Sequence, residues 1–188
     1  MSGIEVHPVT PDRWDDLVGL AGERGFWSGC WCMWWRLTNQ ELAQQSEPQA
    51  RTALQRLVAE GQQPGLLAYR DGEPVGWVSV APREQYRRIE HSTKLSPVDQ
   101  RPAWAVVCIY VPRQHRHTGV VSALVDAAAD HAKAHGAELL EAYPLDPPAG
   151  AKVTGARRAT GTLAVFDRAG FVEVARRGGR PIVRKQLR

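Results

Sequence analysis

The residues best able to do chemistry stand at one junction. Ala103 to Val111 is an apolar run between Pro102 and Pro112, about the length of a buried strand. It leads directly into Arg113, Arg116, Thr118 and Gly119, and a helical stripe of Val121, Leu124, Ala128 and Ala132 follows. A helix N-terminus leaves backbone N–H groups unpaired and carries partial positive charge. Such an end binds phosphate. Glycine lets phosphate approach the backbone, and arginines add charge. Arg116 to Ser122 therefore has the outline of a phosphate cradle. The plain alternative is a strand-to-helix turn.

Other side chains carry less. Glu141 sits in Leu139-Leu140-Glu141-Ala142-Tyr143, a charge inside an otherwise apolar strand. A raised pKa there would suit a general base, whereas pairing with an arginine would make the same carboxylate structural. Cys108 lies between Val107 and Ile109 with no histidine nearby in sequence and reads as an inert, buried thiol. Cys30 and Cys32 read as ordinary thiols in an aromatic segment, so no metal is expected, and three cysteines predict no disulfide framework. His91 and Glu84 fall in a polar loop and read as solvated.

The elements that must position these groups are legible from periodicity and punctuation. Ile4 to Val9 is a first strand, and Thr10-Pro11 opens a helix with the stripe Trp14, Leu17, Val18 and Ala21. Phe26 to Arg36 holds four of the seven tryptophans. Ser46-Glu47-Pro48-Gln49 is a capping box that opens a second helix, closed by Gly61. Leu66 to Tyr69 and Val75 to Val80 flank the hairpin signal Asp71-Gly72, and Gly76 suggests a bulge. Pro82 to Gln100 is a loop with one helical turn. A long helix spans Gly119 to His135 and is capped by Gly136. Ala137 to Tyr143 is a strand, Pro144 to Ala159 a Pro- and Gly-rich loop, and Thr162 to Ala169 a short helix ended by Gly170. Phe171 to Ala175 and Ile182 to Leu187 close as an antiparallel pair across Arg177-Gly178-Gly179-Arg180. The order predicts one α/β (α+β) domain over residues 1–188. Its largely antiparallel sheet has six to seven strands flanked by about four helices.

With 43% hydrophobic and 23% charged residues over 188 positions, the chain has an ordinary globular balance. No apolar run is long enough to cross a bilayer, and the first residues lack a basic start followed by an apolar run. A soluble cytoplasmic protein with no membrane partner is expected. Net charge is +4, with basic residues gathered near Arg176 to Arg188. No aromatic-studded basic stripe accompanies them, so no nucleic-acid partner is expected. Arginine greatly outnumbers lysine, which fits a GC-rich bacterial genome.

Val111-Pro112-Arg113-Gln114-His115-Arg116-His117-Thr118-Gly119-Val120-Val121-Ser122-Ala123-Leu124 resembles the signature of the GNAT acetyltransferases. Arg116 and Gly119 match, and Val121 stands where the family usually has Gly or Ala. Phe166-Asp167-Arg168-Ala169-Gly170-Phe171 resembles the family's second signature. The resemblance implies acetyl-CoA as co-substrate and no metal. It implies a pyrophosphate on Arg116 and the N–H groups of His117, Thr118, Gly119, Val120, Val121 and Ser122. The pantetheine arm would lie in a gap beside Ile109, Tyr110 and Val111.

Catalysis in this family is direct acyl transfer to an amine. Phe166 stands where many relatives carry a tyrosine acid, and Trp104 stands near the usual glutamate base. Glu141 is then the candidate base and Tyr143 the candidate acid, with Tyr110 as a substitute. Trp31, Trp34 and Trp35 would wall the acceptor site and Arg36 would hold a carboxylate, unless the block is a core plug. The resemblance implies an N-acyltransferase acting on the primary amine of a small molecule, with room for a homodimer. The alternatives are a peptide or protein N-acetyltransferase and a non-catalytic acyl-CoA sensor.

Overall fold

A computed structural model describes residues 3–27, 29–148, 150–151 and 153–188. Ser28 of the aromatic block, and Ala149 and Lys152 of the Pro- and Gly-rich segment, lie outside the described residues. The strands are β1 (Glu5–Pro8), β2 (Gly65–Arg70), β3 (Glu73–Pro82), β4 (Trp104–Tyr110), β5 (Leu139–Ala142), β6 (Val172–Arg177) and β7 (Arg180–Gln186). The helices are α1 (Trp14–Ala21), α2 (Asn39–Gln44), α3 (Glu47–Ala59), α4 (Arg87–Glu90), α5 (Val120–Ala134) and α6 (Leu163–Arg168). All seven strands form one sheet in the order β1-β2-β3-β4-β5-β7-β6. Every pairing is antiparallel except β4 with β5.

Local signals account for most of these boundaries. Ser46 N–H donates to Gln49 Oε1 at 2.7 Å, so the expected capping box opens α3. Asp71 and Gly72 both take positive φ, as a two-residue hairpin of the primed type requires. A bulge falls beside Gly76, where Ala68 pairs with Gly76 but Tyr69 pairs with Pro74. Gly76 has a second role. A Cβ there would lie 2.6 Å from Val120 Cγ1, so its absence lets the first turn of α5 seat on β3.

The sheet separates two cores. On one face, Val120, Leu124, Val125 and Ala128 of α5 pack with Val106, Ile109, Phe166 and Phe171. On the other, Leu17 of α1 and Leu54 of α3 pack with Trp77, Val107 and the aromatic block. Phe26 stacks on Trp77 with ring centroids 5.8 Å apart. Each such fully buried large side chain contributes about 2 kcal/mol of transfer free energy. Among the described residues no helix is long and apolar enough to cross a membrane.

The β4–β5 pairing is short. It runs only over Trp104↔Leu140, Ala105↔Glu141 and Val106↔Ala142. β4 continues to Tyr110 along β3, whereas β5 turns away after Ala142. A bulge at Val107 adds to the divergence, because Ser79 pairs with Cys108 and Val80 with Val106. In open sheets, ligand sites gather at the carboxyl ends of parallel strands where the chain diverges.

Candidate functional site: a helix N-terminus, a splayed strand pair and an aromatic cavity

The site has three parts, each set by the end of β4. The first is the start of α5. A 3₁₀ turn at Arg113–His115 follows the strand. His117 then takes φ 62° and Gly119 φ 86°. A left-handed N-cap suits glycine, and a Cβ at Gly119 would meet only Ile4 Cδ1, at 3.8 Å. Gly119 is therefore required by conformation, and the backbone in front of it is open. The N–H groups of Val120, Val121 and Ser122 precede the first intrahelical acceptor, and no side chain caps them. Arg116 Nε donates to the Val111 carbonyl at 3.0 Å, which fixes the guanidinium beside the turn. Arg70 Nη2 braces the far side by donating to the Thr118 carbonyl at 2.9 Å. Val121, the departure from the family pattern, is half-buried against the α5 core. These features fit an anion the size of a pyrophosphate.

The second part is the divergence of β4 from β5. The expected gap beside Ile109, Tyr110 and Val111 is present as lost pairing, but its carbonyls are engaged. The Trp27 indole N–H donates to the Ile109 carbonyl at 3.3 Å, and Arg116 occupies that of Val111. The 3₁₀ helix Gly155–Thr160 packs along β4, and a Cβ on Gly161 would lie 3.6 Å from Ile109 Cδ1. Phe166 is fully buried in α6 against Phe171 and lies close to Gly161. It has no proton to give.

The third part is a cavity of about 860 Å³. Its floor includes Cys108 of β4, and Trp27, Trp34 and Trp35 form one wall. Leu145, Pro147, Pro148, Ala156 and Thr160 also line it, as do Gly178 and Gly179 of the β6–β7 turn and Arg180. Volume and apolar lining are those of a small-ligand site.

Several expected site residues lie elsewhere. Trp31 is buried among Trp14 and Phe26 and donates to Glu47 Oε1 at 3.0 Å, so it is core. Arg36 stacks on Tyr86, 4.9 Å from the ring centroid, and donates to Gln85 at 2.8 Å, outside the cavity. Trp34 and Trp35 do line the cavity. Trp27 and Cys30, from the same block, join them.

Glu141 and Tyr143 lie outside the cavity, and both side chains are buried. Glu141 Oε1 accepts from Arg184 Nε at 2.7 Å and from Arg83 Nη1 at 3.1 Å. Its Oε2 accepts from the Tyr143 hydroxyl at 2.7 Å. Arg184 continues to Asp99, and Arg83 Nε lies 3.3 Å from Glu90. Burial, reinforced by the Glu141 charge, pushes the Tyr143 hydroxyl well above its ordinary pKa. A charge on an apolar strand needs partners, and here the partners saturate it. The pair is a buried, hydrogen-bonded knot, which is the arginine-paired arrangement that a carboxylate on an apolar strand also allowed. His91 and Glu84 are exposed, as their loop suggested.

Two features had little sequence signal. Cys32 accepts from the Trp77 indole at 3.1 Å, and burial pushes its thiol well up. Sequence reading also missed the pair His131 and His135 on α5, whose rings lie 4.3 Å apart and pack on Trp104. The spacing His-x-x-x-His was the available signal.

Residues 30–150 match the sequence model of the acetyltransferase (GNAT) family. The chain belongs to the GNAT acetyltransferase family. It is an acyl-CoA-dependent N-acetyltransferase by that membership. Solved GNAT-fold structures align along nearly the whole chain. The PaiA N-acetyltransferase of Thermoplasma acidophilum, in complex with coenzyme A, is 14% identical, with TM-score 0.54 over 98% of this chain and 99% of its own. An N-acetyltransferase from Staphylococcus aureus Mu50 is 13% identical, with TM-score 0.56 over 100% of both chains. A GNAT acetyltransferase from Streptococcus pneumoniae is 15% identical, with TM-score 0.54 over 99% of this chain and 100% of its own. At these identities the likeness is one of fold. No curated protein matches the chain.

Proposed function

We propose that this GNAT protein transfers the acetyl group of acetyl-CoA directly to the primary amine of a small molecule held in the aromatic cavity. The observation that carries the reading is the cavity itself. Its floor is the diverging end of β4, which also leads to the uncapped start of α5. A pyrophosphate seated on Val120 to Ser122 beside Arg116 would direct the pantetheine arm along Ile109 to Val111 toward Cys108. The arm would displace the long Trp27 hydrogen bond and press residues 155–161 outward. The T. acidophilum relative is in complex with coenzyme A, which is consistent with this donor.

The amine nitrogen attacks the thioester carbon, the C–N bond forms, and the C–S bond breaks to release coenzyme A. The ammonium loses one proton before attack, the nitrogen loses a second as the amide forms, and the departing thiolate takes up a proton to leave as coenzyme A. Approximation of the two substrates supplies much of the acceleration. Glu141 and Tyr143 then act indirectly, by holding β5 against β7. The aromatic lining of the cavity favours a small acceptor over a protein segment, which would need an open groove.

The test is thiol release. Purified protein with acetyl-CoA and a library of primary amines should give steady coenzyme A production that rises with the concentration of at least one amine. Tight acetyl-CoA binding with no thiol release from any amine would favour the sensor reading. Acetylation of peptides alone would favour the peptide reading.

A further inference from the structure

We infer that the acceptor amine carries an anionic group, a carboxylate or a phosphate, that is seated against Arg180 in the aromatic-lined cavity. The inference rests on the acetyltransferase reading above and sharpens its substrate class. Arg180 begins β7 and lines the cavity. Its Nη2 donates to the Thr160 hydroxyl at 2.7 Å, while its Nε is buried without a partner among the described residues. Burial, then the neighbouring Arg157, pull its pKa below the usual arginine value. A guanidinium desolvated beside a like charge is costly unless an anion arrives.

The cavity charges point the same way. Lys94 and Arg157 also line it, and among the described residues neither they nor Arg180 forms an ion pair. Asp146 is the lining carboxylate, and Arg176 already holds it at 2.7 Å. Three lining cations therefore face no available carboxylate. The wall of Trp27, Trp34 and Trp35 suits an apolar or aromatic body. An aryl or alkyl amine with an acidic substituent meets both halves, and the planar fork of Arg180 suits a bidentate oxyanion.

The experiment measures binding and turnover of matched arylalkylamines bearing a carboxylate, its neutral amide or a phosphonate, with protein saturated in acetyl-CoA. The acidic members should bind at least about tenfold tighter than the amide, the range of a charge-assisted hydrogen bond. The carboxylate and phosphonate arms distinguish the two anion classes. Arg180→Gln should collapse the preference, and Arg180→Lys should restore part of it. Acetyl-CoA affinity should hold in both, and circular dichroism melts check their folding. Equal binding of acid and amide to the wild-type protein would overturn the inference while leaving the acetyltransferase reading intact. So would an Arg180→Gln protein that loses acetyl-CoA, since Arg180 would then serve the coenzyme. Failure of the wild-type protein to bind acetyl-CoA would instead defeat the acetyltransferase reading, and calorimetry of the probes alone would still score Arg180.

Discussion

Glu141 and Arg184 face each other across β5 and β7, with the carboxylate 2.7 Å from the guanidinium and both side chains buried. This contact turns a residue whose type suggests catalysis into one that holds two strands together. Glu141→Gln keeps the shape and removes the charge, leaving Arg83 and Arg184 without their shared counter-ion. Breaking a buried pair in this way costs about 3–5 kcal/mol. Denaturant titration should show that loss, while kcat of the protein that remains folded stays within about threefold of wild type. A large fall in kcat with unchanged stability would return Glu141 to the role of base.

The acid limb of stability should carry the signature of His131. Burial, with the nearby His135 charge second, lowers its pKa from 6.5 to about 4. Its ring packs on Trp104, and its Nε2 is buried without a partner among the described residues. The unfolded chain thus takes up a proton near pH 6.5 that the folded chain refuses until about pH 4. Stability is full above the higher value, falls as pH drops through the window, and levels below it. Melting temperature against pH should slope across that interval, and His131→Leu should flatten it.

A separate acid step belongs to Asp99. Its hydrogen bonds from Arg184 hold the carboxyl at about 2 against an ordinary 3.8. Its contribution is present above the ordinary value and is lost as pH falls toward 2. Asp99→Asn should remove this lower step from the melting profile and leave the His131 slope in place.

Gly76 ties the fold to the coenzyme site. A methyl there would sit 2.6 Å from Val120 Cγ1 and 3.0 Å from Leu124 Cδ1, so Gly76→Ala forces these side chains to shift and crowds the start of α5 against β3. Overpacking of this kind costs about 1–3 kcal/mol. The melting temperature should fall and acetyl-CoA affinity should weaken with it. A drop in melting temperature with unchanged affinity would separate the helix start from the coenzyme.

Legibility in the sequence tracked the range of the interactions involved. The junction from Val111 to Ser122 was readable because strand, turn and helix are contiguous and each leaves a local mark. So were the α3 capping box and the Asp71-Gly72 hairpin. The role of Glu141 was not, because its partners stand 58 and 43 positions away. The cavity was legible only in part. Trp34 and Trp35 belong to a conspicuous block, but Arg180, Leu145, Pro147 and Thr160 reach it from elsewhere in the fold. Trp31 shows the limit of reading a block as a unit, since it turns into the core with Cys32 and Met33 while Cys30, Trp34 and Trp35 line the cavity.

If the start of α5 holds the coenzyme's pyrophosphate, a negative charge placed there by Ser122→Glu must expel it. Ser122 is exposed at the third position of α5. A carboxylate in a helix's first turn stabilises the helix by about 0.3–1 kcal/mol, so folding is not put at risk. The same carboxylate would stand where the phosphates must sit. Calorimetry should show acetyl-CoA affinity weakened at least about tenfold by the repelling charge, with the melting temperature equal to or above that of wild type. Unchanged affinity in a protein of undiminished stability would contradict the account.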